Sequence, residues 1–174
     1  MEEQQVINEF KKSSIFRLNE GLRMIKISFQ QIDEMQLWQL PFENGMCLGN
    51  QILHSCGNMR QYLISSLGNQ TDMRNREVEF KRTPEIGKES LLALLEDTVA
   101  KSISTINTAS VTEYLTPREV QGVSLSGLGA ALHAVEHFSY HVGQTAFWVK
   151  YMTKQDLGFY NGVNLNKTNT ANAD

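Results

Sequence analysis

Apolar residues in the first forty positions step by 3, 4, 3, 4 and 3: Ile15, Leu18, Leu22, Ile25, Phe29 and Ile32. That spacing keeps one face of an α-helix apolar and predicts a long bundle helix. No proline interrupts Met1 to Leu40, and Pro41 lies just past a natural stop. Residues 33–40 have room for one short turn. A second helix is predicted over 47–67, with Ile52, Cys56, Met59, Leu63 and Leu67 as its apolar row and Gly68-Asn69 as its stop signal. Residues 68–86 keep no lasting period and read as a long connection, a kind of segment that in a compact domain is usually functional or mobile. The third helix is expected over 87–107, with Leu92, Leu95, Val99, Ile103 and Ile106 on one side. A second irregular connection, 108–125, holds Pro117, Gly122 and an extended piece over 119–125, and the fourth helix covers 126–153. Nothing alternates with period two, and no internal repeat is present. Four helices with no strands between them predict an all-α four-helix bundle, a single domain over 1–160. Residues 161–174, with five Asn and almost nothing apolar, are expected to be a disordered tail.

Composition narrows the class. With 174 residues, 41% hydrophobic and 20% charged, the chain is of ordinary globular make-up and one domain in size. A net charge of −3 offers no electrostatic reason to seek nucleic acid or an acidic membrane as partner. Cys47 and Cys56 cannot build a disulfide framework, so a reduced, cytoplasmic setting is expected. The opening residues are acidic and polar, with no apolar core of a signal peptide.

The fourth helix departs from an ordinary surface helix. On a wheel of about 100° per residue, Leu128, Leu132, Val135, Ser139, Val142, Ala146 and Val149 gather on one side. His133, His137, His141, Gln144 and Trp148 gather nearly opposite. Glu136 is the one Asp, Glu, Lys or Arg between Ser126 and Val149, which leaves a thin polar edge near Glu136, Gly143 and Lys150. A helix apolar nearly all round is buried nearly all round. Three His, Gln144 and Glu136 at its centre argue against a membrane span. A bundle core on one face and a second copy of the chain on another is the expectation, hence a homodimer through the fourth helix.

The chain has four histidines, and three fall within nine residues. Imidazoles at i and i+4 lie one above the other and can converge on one metal ion. His133, His137 and His141 offer that spacing twice, and His137 belongs to both pairs. His54, in the second helix, is the remaining imidazole, set in a polar row with Cys47, Gln51 and Asn58. Three His ligands leave positions open for water or substrate, as in a reactive metal site rather than a closed structural one. Imidazole suits zinc, nickel, iron or copper. The H-x-x-E-H pattern of His133 to His137 also matches a metalloprotease motif. Too little chain follows it to supply the later ligand and domain, and Glu136 falls on the polar edge.

These residues carry a resemblance. Asn50-Gln51-Ile52-Leu53-His54-Ser55-Cys56-Gly57-Asn58-Met59-Arg60 and Glu136-His137-Phe138-Ser139-Tyr140-His141-Val142-Gly143-Gln144 resemble elements of the DinB/YfiT-like superfamily of metal-dependent enzymes. Arg74-Asn75-Arg76-Glu77-Val78-Glu79-Phe80 looks like the connecting segment of one uncharacterised branch, and the likeness runs over about residues 10–160. It implies a four-helix bundle, often homodimeric, with three His on one divalent metal, commonly zinc or nickel. Carried over, the ligands are His54, His137 and His141, with His133 a neighbouring imidazole and Gln144 a supporting residue. The resemblance also implies thiol S-transferase-like or hydrolase-like chemistry on a small-molecule substrate, with a low-molecular-weight thiol as cosubstrate. A non-catalytic metal-binding or stress-response homodimer is the alternative, and a bundle with a merely polar core the third. Arg74, Arg76, Lys81 and Arg82, with Glu77 and Glu79, either bind an anionic cosubstrate, cover the site, or pair among themselves in a solvated loop; the last is the simpler expectation. Cys56 is expected in the core, Cys47 as a remote fourth donor, Trp38 and Trp148 as packing anchors, and Tyr140 and Tyr151 near the rim of the site.

Overall fold

The computed structural model of the chain describes residues 2–168. Four long helical elements form the bundle: α1 (Glu2–Gln30), α3 (Leu48–Met59) continued by a π-helical segment (Arg60–Leu67), α4 (Lys88–Thr108) and α6 (Gly127–Thr153). Between them lie α2 (Glu34–Leu37), a 3₁₀ turn (Arg76–Phe80), α5 (Val111–Leu115) and the strands β1 (Pro117–Val120) and β2 (Val123–Ser126). The seam of α1 is buried as its spacing requires, with Leu18, Ile25 and Phe29 at 1% exposure or less. It packs against α4 and α6, and α3 packs against the same two helices from the other side. Gly21 permits the close crossing of α1 and α6, since a Cβ there would stand 2.6 Å from the Phe138 ring.

Three local features differ from the periodicity reading. The second helix does not stay α-helical to its end: bonds such as Gly68 N–H to the Leu63 carbonyl, 2.9 Å, span five residues. A π-turn adds a residue without changing which residue types are buried, so it leaves no compositional mark, and such segments are frequent near functional sites. Strands do lie between the helices. Pro117–Val120 pairs antiparallel with Val123–Ser126, joined by Gln121 and Gly122, both with positive φ (52° and 76°). That is the type I′ geometry favoured by the right-handed twist of a hairpin. Four-residue strands put only two side chains on each face, too few for alternation to register. Finally, the 68–86 connection is partly built by the 3₁₀ turn, which closes over α3.

The fourth helix is also rotated relative to the wheel. Leu132 is 54% exposed and Ser139 is exposed, whereas Ala130, Ala131, Ala134, Phe138, Val142 and Val149 are buried. A seam of small alanines lets α6 approach its neighbours closely, and this outweighs the burial of one larger leucine. The histidine face consequently points into the bundle. The exposed stripe is Leu132, Glu136, Tyr140, Gly143, Phe147, Lys150 and Tyr151, centred on the predicted polar edge. No helix among the described residues is long and apolar enough to cross a membrane. Residues 161–168 are all exposed, and the remainder of the predicted tail, 169–174, lies outside the described residues.

Candidate metal centre

The polar row of α3 meets the histidine face of α6 rung by rung. Gln51 Oε1 accepts from the Thr145 hydroxyl at 3.2 Å, His54 Nε2 lies 3.1 Å from His137 Nε2, and Asn58 Nδ2 lies 3.3 Å from His133 Nε2. His54, His137 and His141 form one cluster whose ligand atoms all lie within 4.8 Å of one another. His133 stands outside it, its ring stacked on Tyr62 with centroids 4.1 Å apart. Cys47 caps the start of α3 and donates its thiol to Asn50 Oδ1 at 2.7 Å, so it is no part of the cluster. Cys56 sits in the core, where burial pushes its thiol up to about 12. Trp38 is a packing anchor whose indole N–H donates to the Ile86 carbonyl at 3.0 Å.

The connecting loop supplies what periodicity could not show. Glu79 Oε2 lies 2.8 Å from His54 Nδ1, and Arg74 holds both Glu79 oxygens at 2.8 Å. Burial opposes the charge on Glu79, yet the hydrogen bonds from Arg74 and His54 prevail and hold its carboxyl below the usual carboxylate range. An ionised carboxylate only accepts, so His54 Nδ1 carries the proton and its Nε2 lone pair faces the cluster. A carboxylate fixing the tautomer of an imidazole is the recurring support of metal-ligating histidines. The side chains of Arg74 and Glu79 are only 3% and 7% exposed, so the expected solvated ion pairing is corrected here: this pair is buried against the site. Arg76, Glu77, Lys81 and Arg82 do remain exposed.

Four residues of one stripe along α3 and its π-helical continuation clasp the loop. Asn50 Nδ2 donates to the carbonyls of Glu79 and Lys81 at 2.7 and 2.8 Å, His54 meets the Glu79 carboxylate, and Gln61 Oε1 accepts from Arg74 at 2.9 Å. At the fourth position, Gly57, a Cβ would overlap Glu79 Oε1. Alanine in a helix interior ordinarily gains roughly 0.5–1 kcal/mol over glycine. Gly57→Ala is expected to do the reverse, lowering the unfolding midpoint in a denaturant titration, because it expels the carboxylate from its seat.

The donor set fits a divalent metal. About a tetrahedral zinc with Zn–N near 2.0–2.1 Å, ligating nitrogens stand roughly 3.3 Å apart. His54 and His137 already present their Nε2 atoms at 3.1 Å, an approach that a shared proton or an intervening cation satisfies. The Nδ1 atoms of His137 and His141 are buried without a hydrogen-bond partner. Burial first, then the charges of His141, His54, His133 and Arg74, depress His137 to about 3. Burial and His54 depress His141 to about 4, against the opposing influence of Gln144. Neutral imidazoles are the form a metal binds.

These depressed values fix a pH response of the metal-free fold. The unfolded chain takes up protons below the ordinary 6.5 while the folded one refuses them. Stability is therefore complete above that value and is lost as the pH falls toward 4. The melting temperature of chelator-treated protein is expected to drop between pH 7 and pH 5, with a shallower drop in His141→Phe. A flat profile in both would contradict neutral, buried imidazoles.

His54 and His141 also line a cavity of about 660 Å³ that opens beside the cluster, with Tyr140, Tyr151 and Trp148 on its wall. The family model described as "Protein of unknown function (DUF1572)" matches residues 5–161. Among solved structures, the crystal structure of the conserved protein of locus from Enterococcus faecalis is similar in fold. Its TM-score is 0.69 at 13% identity, over 83% of this chain and 97% of that one. No curated protein matches the chain.

Proposed function

The chain belongs to the DUF1572 family, a DinB/YfiT-like family, and on that footing we propose that it is a metal-dependent enzyme in which His54, His137 and His141 hold one divalent metal, zinc or nickel. The reaction proposed is of thiol S-transferase-like or hydrolase-like kind, on a small-molecule substrate. One observation carries the reading: the imidazole cluster sits at the wall of an open cavity, with Glu79 and Arg74 bracing it from behind. A non-catalytic site kept only for its fold would be closed over by side chains. A bound divalent metal supplies an electrophilic centre that lowers the pKa of a thiol or water brought to it. Glu79 then orients His54 and keeps its proton on Nδ1, Arg74 keeps Glu79 ionised, and Phe80, whose ring lies 5.1 Å from His54, shields one side from water. The free, buried Cys47 and Cys56 are compatible with a reducing, cytoplasmic setting.

The test is a screen of zinc- and nickel-loaded protein, made without a histidine tag, against low-molecular-weight thiols with a general electrophile, and against ester substrates. Turnover that needs the metal supports the reading. Metal at one per chain with no turnover across the screen would favour the non-catalytic metal-binding dimer instead.

We also propose that the exposed stripe of α6 pairs with a second copy of the chain. Leu132, Tyr140, Phe147 and Tyr151 are each more than half exposed along one line. Multi-angle light scattering at micromolar concentration is expected to give twice the chain mass of 19.7 kDa, falling to one chain mass in Phe147→Glu.

A further inference from the structure

The cavity beside the cluster has a one-sided chemistry. Its walls are aromatic: Phe42, Phe80 and Trp148 belong to three separate segments, and Trp148 stacks parallel on Tyr151, rings 5.3 Å apart and 13° from coplanar. No aspartate, glutamate or lysine lines it, and Arg76 is the one charged side chain there. The Arg76 guanidinium lies 4.7 Å from the Phe80 ring centroid, held by a cation–π contact. Among the described residues it makes no ion pair and no hydrogen bond, so its planar fork of donors is uncommitted. This contrasts with Arg74, two residues earlier, whose donors are used on Glu79 and Gln61. At about 660 Å³ the space matches a molecule of metabolite or drug size.

We infer that the substrate is a small aromatic acid, its flat ring laid between Phe42, Phe80 and Trp148 and its carboxylate paired with Arg76. The inference rests on the enzymatic reading only in calling this ligand a substrate; the binding itself needs no metal. Rings stack on the aromatic walls with neutral selectivity, while the fork of Arg76 meets a carboxylate in bidentate fashion. A cationic ligand of the same shape meets no carboxylate in this cavity and is repelled by Arg76. The rim residues Tyr140, Phe147 and Tyr151 lie on the stripe proposed to meet a second copy, which would then add a wall at that rim.

The experiment is calorimetric titration of the full chain with three probes of one shape: 1-naphthoate, 1-naphthylmethanol and 1-naphthylmethylammonium. Each is run on chelator-treated and on zinc-loaded protein. In the chelator-treated form, 1-naphthoate is expected to bind about fivefold or more tightly than the alcohol, with the ammonium weakest. Arg76→Gln should erase the gap between acid and alcohol, and Phe42→Ala, at a site 68% exposed and safe for folding, should weaken both alike. Failure of the metal reading leaves this pattern intact in metal-free protein, so the two failures are distinguishable. Equal affinities in the wild type overturn the inference, as does no saturable binding at millimolar probe. A preference that appears only with zinc and survives Arg76→Gln also overturns it, since the anion would then sit at the imidazoles.

Discussion

His137→Ala is expected to take the protein from about one divalent metal per chain to background in elemental analysis. His137 is central to the cluster. Its Nε2 faces His54 across 3.1 Å, and its ring centroid lies 4.6 Å from that of His141. Removing it leaves two imidazoles on different helices with no third donor between them. Loss of a supporting residue around a metal usually costs about 10- to 100-fold in affinity, and loss of a ligand exceeds that. The same substitution removes one half-buried imidazole that resists protonation, so metal-free His137→Ala should fold at least as well as the metal-free wild type near pH 5. The two readouts separate loss of metal from loss of fold. His133→Ala is the matched control: its ring packs on Tyr62 outside the cluster, so metal content should stay near one per chain. Metal retained in His137→Ala, or lost in His133→Ala, would refute the ligand assignment.

Glu79→Ala should be the most destabilising single change in the loop. It leaves Arg74, 3% exposed, as a buried cation with no carboxylate and strips His54 Nδ1 of its acceptor. Breaking a buried ion pair from one side typically costs about 3–5 kcal/mol. A loss of that order in chemical denaturation is expected, together with a weaker metal site by about 10- to 100-fold. Replacing both partners, Arg74→Met with Glu79→Leu, removes the stranded charge and should recover most of the stability. It should not recover metal affinity, because His54 still lacks the group that orients it. If the double variant restored both, Glu79 would be a packing residue only.

Much of this molecule was legible before its coordinates. The four long helices follow from apolar spacing along α1, α3, α4 and α6, which survives because bundle packing needs an apolar face. Helical spacing singled out His137 and left His133 and His141 open; the set His54, His137 and His141 was readable only through the resemblance carried by their flanking motifs. The pair Arg74–Glu79 was not, since its partner His54 lies 25 residues from Glu79 and a loop has no period to betray which charge turns inward. Its one sequence mark was Gly57 inside a helix, where glycine is unfavourable unless something must come close. The hairpin escaped notice because Gln121-Gly122 lacks the usual Asn or Asp at its first turn position. The orientation of α6 was misread because a row of alanines carries little hydrophobic weight, yet it is the small residue that permits the tightest approach.

The clasp formed by Asn50, His54, Gly57 and Gln61 has a kinetic meaning. These positions step by 4, 3 and 4, the rhythm of a hydrophobic seam, yet what they hold is a polar strap of residues 74–81 rather than another helix. Polar contacts between a loop and a helix can break and re-form without unfolding the bundle beneath them. The strap therefore opens at a lower free energy than the bundle unfolds, on its own clock. His54 belongs to the strap as much as to the helix, whereas His137 and His141 sit on α6, anchored by its alanine seam. How long His54 stays oriented by Glu79 is thus governed by the opening of eight residues, not by the lifetime of the fold.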